Sequence, residues 1–79
     1  MVASVTVYST TWCGYCRIAK RFLDEHHVPY TEVDIEADEG AALRVEQWNQ
    51  GNRTVPSIDI DGTILTNHSP AKLRQVLGL

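Results

Sequence analysis

In Thr11-Trp12-Cys13-Gly14-Tyr15-Cys16-Arg17 the chain's two cysteines stand three positions apart, where a strand pattern gives way to a helix pattern. An exposed helix start offers unpaired backbone N–H groups and the positive end of the macrodipole, and both favour a thiolate over a thiol. Cys13 is therefore expected to be a nucleophile near neutral pH. Cys16 lies one helical turn further on, close enough to close a short disulfide with it. The pair can cycle between dithiol and disulfide, with Cys13 attacking and Cys16 resolving.

Two blander readings of the pair are weaker. Zinc wants four ligands, and the remaining candidates are His26, His27 and His68; the first two fall about 15 Å along the same helix, out of range. No metal site is expected. A structural bridge over so short a loop would stabilise little, and nothing else suggests a secreted disulfide scaffold.

Outward from this motif, composition bounds the rest. Seventy-nine residues, 43% hydrophobic and 22% charged, make one small globular domain spanning residues 1–79, with no room for a second. The net charge of −3 leaves no basic stripe to neutralise phosphates, so nucleic acid is not an expected partner. No apolar run is long enough to span a bilayer, and the N-terminus alternates like a strand rather than presenting a leader. A reducing cytoplasm is the expected setting, and a monomer the expected state.

In chain order, residues 2–8 carry Val5, Val7 and Tyr8 and suit a central strand covered on both faces. Residues 14–27 place Ile18, Ala19, Phe22 and Leu23 on one helical stripe, with Pro29 ending the helix and His26 and His27 complementing its dipole. Residues 30–35 alternate as an edge strand, reached from the first by a right-handed parallel crossover. A second helix is expected over 37–50, with Ala41, Leu43, Val45 and Trp48 as its apolar content and Glu36, Asp38 and Glu39 near its start. Strands at 57–60 and 63–65 flank Asp61-Gly62, a two-residue hairpin signal. Ser69 then caps a short helix beginning at Pro70 and carrying Leu73, Val76 and Leu77.

The order strand, helix, strand, helix, strand, strand, helix, with Cys-x-x-Cys opening the first helix, resembles the thioredoxin fold. With Thr54-Val55-Pro56 just before the third strand, at this length, the chain is similar to the glutaredoxin family. The resemblance implies an α/β fold, β-α-β-α-β-β-α, with a four-stranded mixed sheet flanked by three helices. It implies that Pro56 follows a cis peptide bond beside the redox cysteines, leaving the Val55 backbone free to pair with an extended substrate. By the same resemblance, Trp12, Tyr15, Arg53, Thr54, Val55, Pro56, Thr66, Asn67 and His68 form the substrate-binding surface around Cys13 and Cys16.

Departures from the family pattern carry information. Many glutaredoxins have proline between the cysteines, where this chain has Gly14-Tyr15, and lysine three residues before the first cysteine, where it has Thr10. Cys13 then leans on the helix terminus, with Arg17 and Arg53 as electrostatic help. Glutaredoxins also usually carry Gly-Gly and an acidic residue near the last helix, which receive the γ-glutamyl end of glutathione. Here the stretch is Thr66-Asn67-His68-Ser69, whose neutral hydrogen-bonding groups would better suit a polyol or sugar.

Trp-Cys-Gly-Tyr-Cys, Gly51-Asn52-Arg53-Thr54-Val55-Pro56 and Leu65-Thr66-Asn67 together are similar to mycoredoxins, actinobacterial glutaredoxin-like proteins. Their thiol is mycothiol, an acetylated cysteine on a glucosamine-inositol unit. The resemblance implies no tightly bound cofactor, mycothiol (or glutathione) as co-substrate, and proteins carrying mixed disulfides as partners, with a disulfide reductase as a further partner. Two other readings stay open at this point. One is a small electron donor to ribonucleotide reductase fed by thioredoxin reductase; the other is an iron-sulfur cluster-binding module.

Overall fold

A computed structural model describes residues 4–66 and 70–79. The expectations placed on residues 2 and 3 and on Asn67, His68 and Ser69 lie outside the described residues. Seven elements run in the expected order: β1 (Val5–Ser9), α1 (Gly14–Glu25), β2 (Thr31–Asp34), α2 (Glu39–Trp48), β3 (Ser57–Ile60), β4 (Thr63–Thr66) and α3 (Pro70–Leu77). The sheet order is β2-β1-β3-β4, with β1 parallel to β2 and antiparallel to β3, and β4 antiparallel to β3. The fold is the thioredoxin-type α/β arrangement that the resemblance implies.

Alternation along β1 divides the core. Val5 and Val7 face one side with Ile58, Ile60 and Leu65, and there meet Ala19 and Leu23 of α1 and Leu73 of α3. Tyr8 faces the other side, against Ile35 and the α2 residues Ala41, Ala42 and Val45. The central strand is thus covered on both faces, as its near-continuous apolarity requires. Trp48 belongs to this second cluster and meets Tyr8 edge to face at 5.2 Å. Asp61 and Gly62 both take positive φ, 50° and 91°, the backbone a type I′ hairpin needs.

Several boundaries and faces differ from the sequence reading. Ile18 and Leu43 are about half exposed, at 49% and 50%, and the α1 stripe runs instead through Cys16, Ala19 and Leu23. Cys16 is a core residue as well as a thiol, so the stripe is turned by one position. α2 spans Glu39–Trp48 rather than 37–50, because Asp38 caps it through Oδ1, which accepts the Ala41 N–H at 3.1 Å.

Pro29 does not end α1. The helix stops at Glu25, and His27 takes φ 55° while its N–H donates to Asp24 O (3.1 Å) and the Val28 N–H donates to Leu23 O (2.9 Å). That is a Schellman motif, with Val28 packed against the Leu23 cluster. His27 therefore holds a left-handed position that glycine usually fills. Replacing it by glycine removes a Cβ penalty, so His27→Gly should stabilise the fold by about 0.5–1 kcal/mol. Thermal unfolding checks this: the midpoint should rise by roughly 2–8 °C.

Candidate active site

Cys13 caps α1. Its backbone is extended (φ −81°, ψ 114°), and its Sγ accepts the Cys16 N–H at 3.1 Å. The sulfur fills the place that a serine or aspartate oxygen takes at other helix starts. No acidic residue stands in the first turn of α1 to oppose negative charge there. Both cysteines are free thiols; Cys13 is 5% exposed and Cys16 wholly buried.

Burial first, and then the hydrogen bond to Cys13, push the Cys16 thiol from 9.0 up to about 12. Cys16 therefore keeps its proton through the neutral range. Above about pH 9 an unfolded chain releases that proton while the folded chain retains it. The stability linked to Cys16 is thus present below pH ~9 and lost as pH rises toward ~12. Under reducing conditions, urea titrations between pH 9 and 11 should show stability falling less steeply in Cys16→Ala than in the parent. Tyr30, also raised by burial, contributes alike to both.

The register brings the other candidate segments to the same end of the sheet. Ser9 pairs with Asp34, Tyr8 with Ser57, and Ser57 with Thr66. The ends of β1, β2 and β4 and the start of β3 lie side by side. The cysteine loop leaves β1 at that edge, and Val55-Pro56 enters β3 there through a cis peptide bond. Pro56 is buried, while Val55 packs on the Tyr8 and Ile35 cluster. Among the described residues, no hydrogen bond outside the helices and strands engages the Val55 N–H or carbonyl. Trp12 and Tyr15, 68% and 67% exposed, flank Cys13 in the chain.

Ser57, expected from the sequence only as the start of a strand, ties this edge together. Its Oγ donates to Thr54 O at 2.9 Å, accepts from Asn49 Nδ2 at 3.3 Å and lies 3.4 Å from Thr66 Oγ1. A small polar residue between Pro56 and the apolar Ile58 is the signal that could have found it. Arg53 is held elsewhere: its Nε donates to Glu46 Oε2 at 2.8 Å and its Nη2 to Glu39 Oε1 at 2.9 Å. Its donors thus meet two carboxylates of α2. Asn67 and His68 lie outside the described residues.

On the opposite flank of the cysteine loop, Glu32 Oε2 accepts from Ser9 Oγ (2.9 Å) and Lys20 Nζ (2.6 Å). Lys20 first and Ser9 second hold the Glu32 carboxyl below its ordinary range. A cleft of about 300 Å³ opens there, lined by Ser9, Thr10, Thr11, Lys20, Glu32 and Asp34. Thr10, where many glutaredoxins carry lysine, is buried, and its Oγ1 has no hydrogen-bond partner among the described residues.

Residues 5–65 match the glutaredoxin family model. Rv3198A of Mycobacterium tuberculosis (H37Rv), which carries a glutaredoxin name, is 45% identical over an alignment covering 99% of each chain. Mycoredoxin 1 of Corynebacterium glutamicum is 40% identical, over 91% of this chain and 90% of that one. Among solved structures, the thioredoxin-like protein BC3987 superposes with a TM-score of 0.84 at 31% identity, covering 94% of this chain and 100% of that one.

Proposed function

The chain belongs to the glutaredoxin family and is a thiol-disulfide oxidoreductase, and from that premise we propose that it reduces protein mixed disulfides formed with mycothiol, with Cys13 as nucleophile. The observation that carries this reading is the capping geometry. A sulfur at a helix start accepts an N–H from the turn that carries the second, proton-retaining thiol. The Cys13 thiolate attacks the small-thiol sulfur of the mixed disulfide. The old S–S bond breaks, the protein thiolate leaves and takes a proton from solvent, and Cys13 holds the small thiol as a new mixed disulfide.

Two routes return Cys13. A second small-thiol thiolate can attack the captured sulfur, releasing a symmetric small disulfide and the Cys13 thiolate. Alternatively Cys16 gives up its proton and attacks Cys13 Sγ, releasing the small thiol and leaving a Cys13–Cys16 disulfide for two-electron reduction by a disulfide reductase. Burial, the largest cause of the raised Cys16 pKa, also opposes its ionisation for attack on Cys13 near neutral pH, which favours the first route.

Support for mycothiol over glutathione comes from three sides. A protein named Mycoredoxin 1 is similar along nine-tenths of the chain. Residues 66–69, Thr-Asn-His-Ser, lack the glycine pair and carboxylate that would receive an α-amino acid head. Arg53, a cation of the cis-proline loop, already meets two carboxylates. In this reading the small thiol lies against residues 53–56 and 66–68, the free Val55 backbone pairs with its peptide-like part, and Trp12 and Tyr15 bear on the protein partner. A single domain working as a monomer in a reducing cytoplasm completes the proposal.

Turnover of one reporter protein carrying either a mycothiol or a glutathione mixed disulfide tests it, with each small-thiol recycling system supplied in turn. The mycothiol adduct should be the better substrate. Preference for glutathione would overturn the mycothiol assignment. Reduction by thioredoxin reductase with neither adduct turned over would replace it by the electron-donor reading.

A further inference from the structure

Glu39 and Glu46 sit seven positions apart on α2, two helical turns, and so share one face. Arg53 reaches that face from the loop after α2 and bridges both carboxylates, Nη2 to Glu39 at 2.9 Å and Nε to Glu46 at 2.8 Å. One guanidinium against two carboxylates leaves a local sum of −1. The side chains of Arg53 and Glu39 are 48% and 70% exposed, so this cluster adds little to folding stability. Through Arg53 it directly adjoins Thr54-Val55-Pro56 in the chain. Lys20, by contrast, is paired with Glu32 beside the cleft on the other flank of the cysteine loop, and the Arg44 guanidinium donates to Tyr8 Oη against β1.

We infer that Glu39 and Glu46 are specificity-determining residues, which occupy Arg53 and thereby reject small thiols that carry carboxylates. This rests on the reading that the small thiol lies against the cis-proline loop. Glutathione brings two carboxylates and one ammonium, a net −1, to a site whose cation is already shared. It would have to displace a built-in carboxylate or accept like-charge repulsion. Mycothiol, an acylated amino sugar on inositol, brings no ionised group besides its thiol and meets neither cost. Selectivity then comes from repulsion of the wrong thiol as well as from contacts to the right one.

The experiment uses the full chain and the Glu39→Gln/Glu46→Gln variant, with kcat/KM measured on one reporter protein carrying a glutathione or a mycothiol adduct. Freed from its carboxylates, Arg53 should raise the glutathione-to-mycothiol ratio by about tenfold. Adding Arg53→Gln removes the freed cation and takes the local sum to zero, so it should take back most of the gain without falling below the parent ratio, which a loss of helix packing would not do. Higher ionic strength should erode the variant's gain, since exposed charges are screened. A double variant whose ratio stays within twofold of the parent, or a gain that survives Arg53→Gln in full, would overturn the inference while leaving the parent's mycothiol preference intact. A parent that already prefers glutathione fails the underlying reading instead, and is visible before any variant is made.

Discussion

Cys13→Ser should lower reduction of protein mixed disulfides by about a thousandfold or more, whereas Cys16→Ser should keep it within roughly tenfold of the parent. The asymmetry follows from where the two sulfurs sit. Cys13 Sγ is at the N-cap of α1 and accepts the Cys16 N–H at 3.1 Å. A serine oxygen there would keep the hydrogen bond but not supply a nucleophile at neutral pH. Cys16 is in the core with Ala19 and Leu23, and its proton stays on to about pH 12. Turnover by the small-thiol route does not need it, and serine at position 16 leaves the Cys13 cap in place. Steady-state turnover of the mixed-disulfide reporter checks both variants. An inactive Cys16→Ser protein that is folded by circular dichroism would refute the monothiol route.

The largest effect on stability is expected at Leu73. Among the described residues it is the fully buried side chain of α3, 1% exposed, and it joins α3 to Leu23 of α1 and to Ile58, Ile60 and Leu65 of the sheet. Leu73→Ala removes buried methyl groups and leaves a cavity that flanking strands can only partly close, a cost of about 2–5 kcal/mol. In a chain of 79 residues that is a large fraction of the total stability. The melting midpoint should fall by roughly 10–30 °C. A loss below about 1 kcal/mol in urea titration would mean that α3 is not an integral part of this core.

What the sequence revealed and what it hid have separate causes. The β-α-β-α-β-β-α order was legible because β1 reads as apolar on both faces, the Asp61-Gly62 turn announces its hairpin, and the paired cysteines mark where α1 begins. Those are local signals, each fixed by neighbours in the chain. The end of α1 was hidden because a histidine, not a glycine, takes the left-handed position, and Pro29 drew attention two residues too far along. Ile18 was misread because counting Cys16 as chemistry alone turns the apolar stripe by one position.

At the candidate site, the cysteines and Thr54-Val55-Pro56 were readable as motifs. Their support was not. Ser57 acts by linking Thr54, Asn49 and Thr66 across three elements. The Arg53 bridge depends on a loop folding back over α2, a tertiary contact that no spacing rule reports. The acidic residues near the start of α2 had an adequate local explanation in the helix dipole, which masked the second role of Glu39.

The most direct measurement is a trapping competition. The Cys16→Ser variant, unable to resolve, is mixed with an excess of reporter protein bearing mycothiol and glutathione mixed disulfides in equal amounts, and its intact mass is recorded. The account predicts a single mycothiol moiety, mapped to Cys13 by peptide analysis. A glutathione moiety on Cys13 in its place, or an adduct on neither, would contradict it.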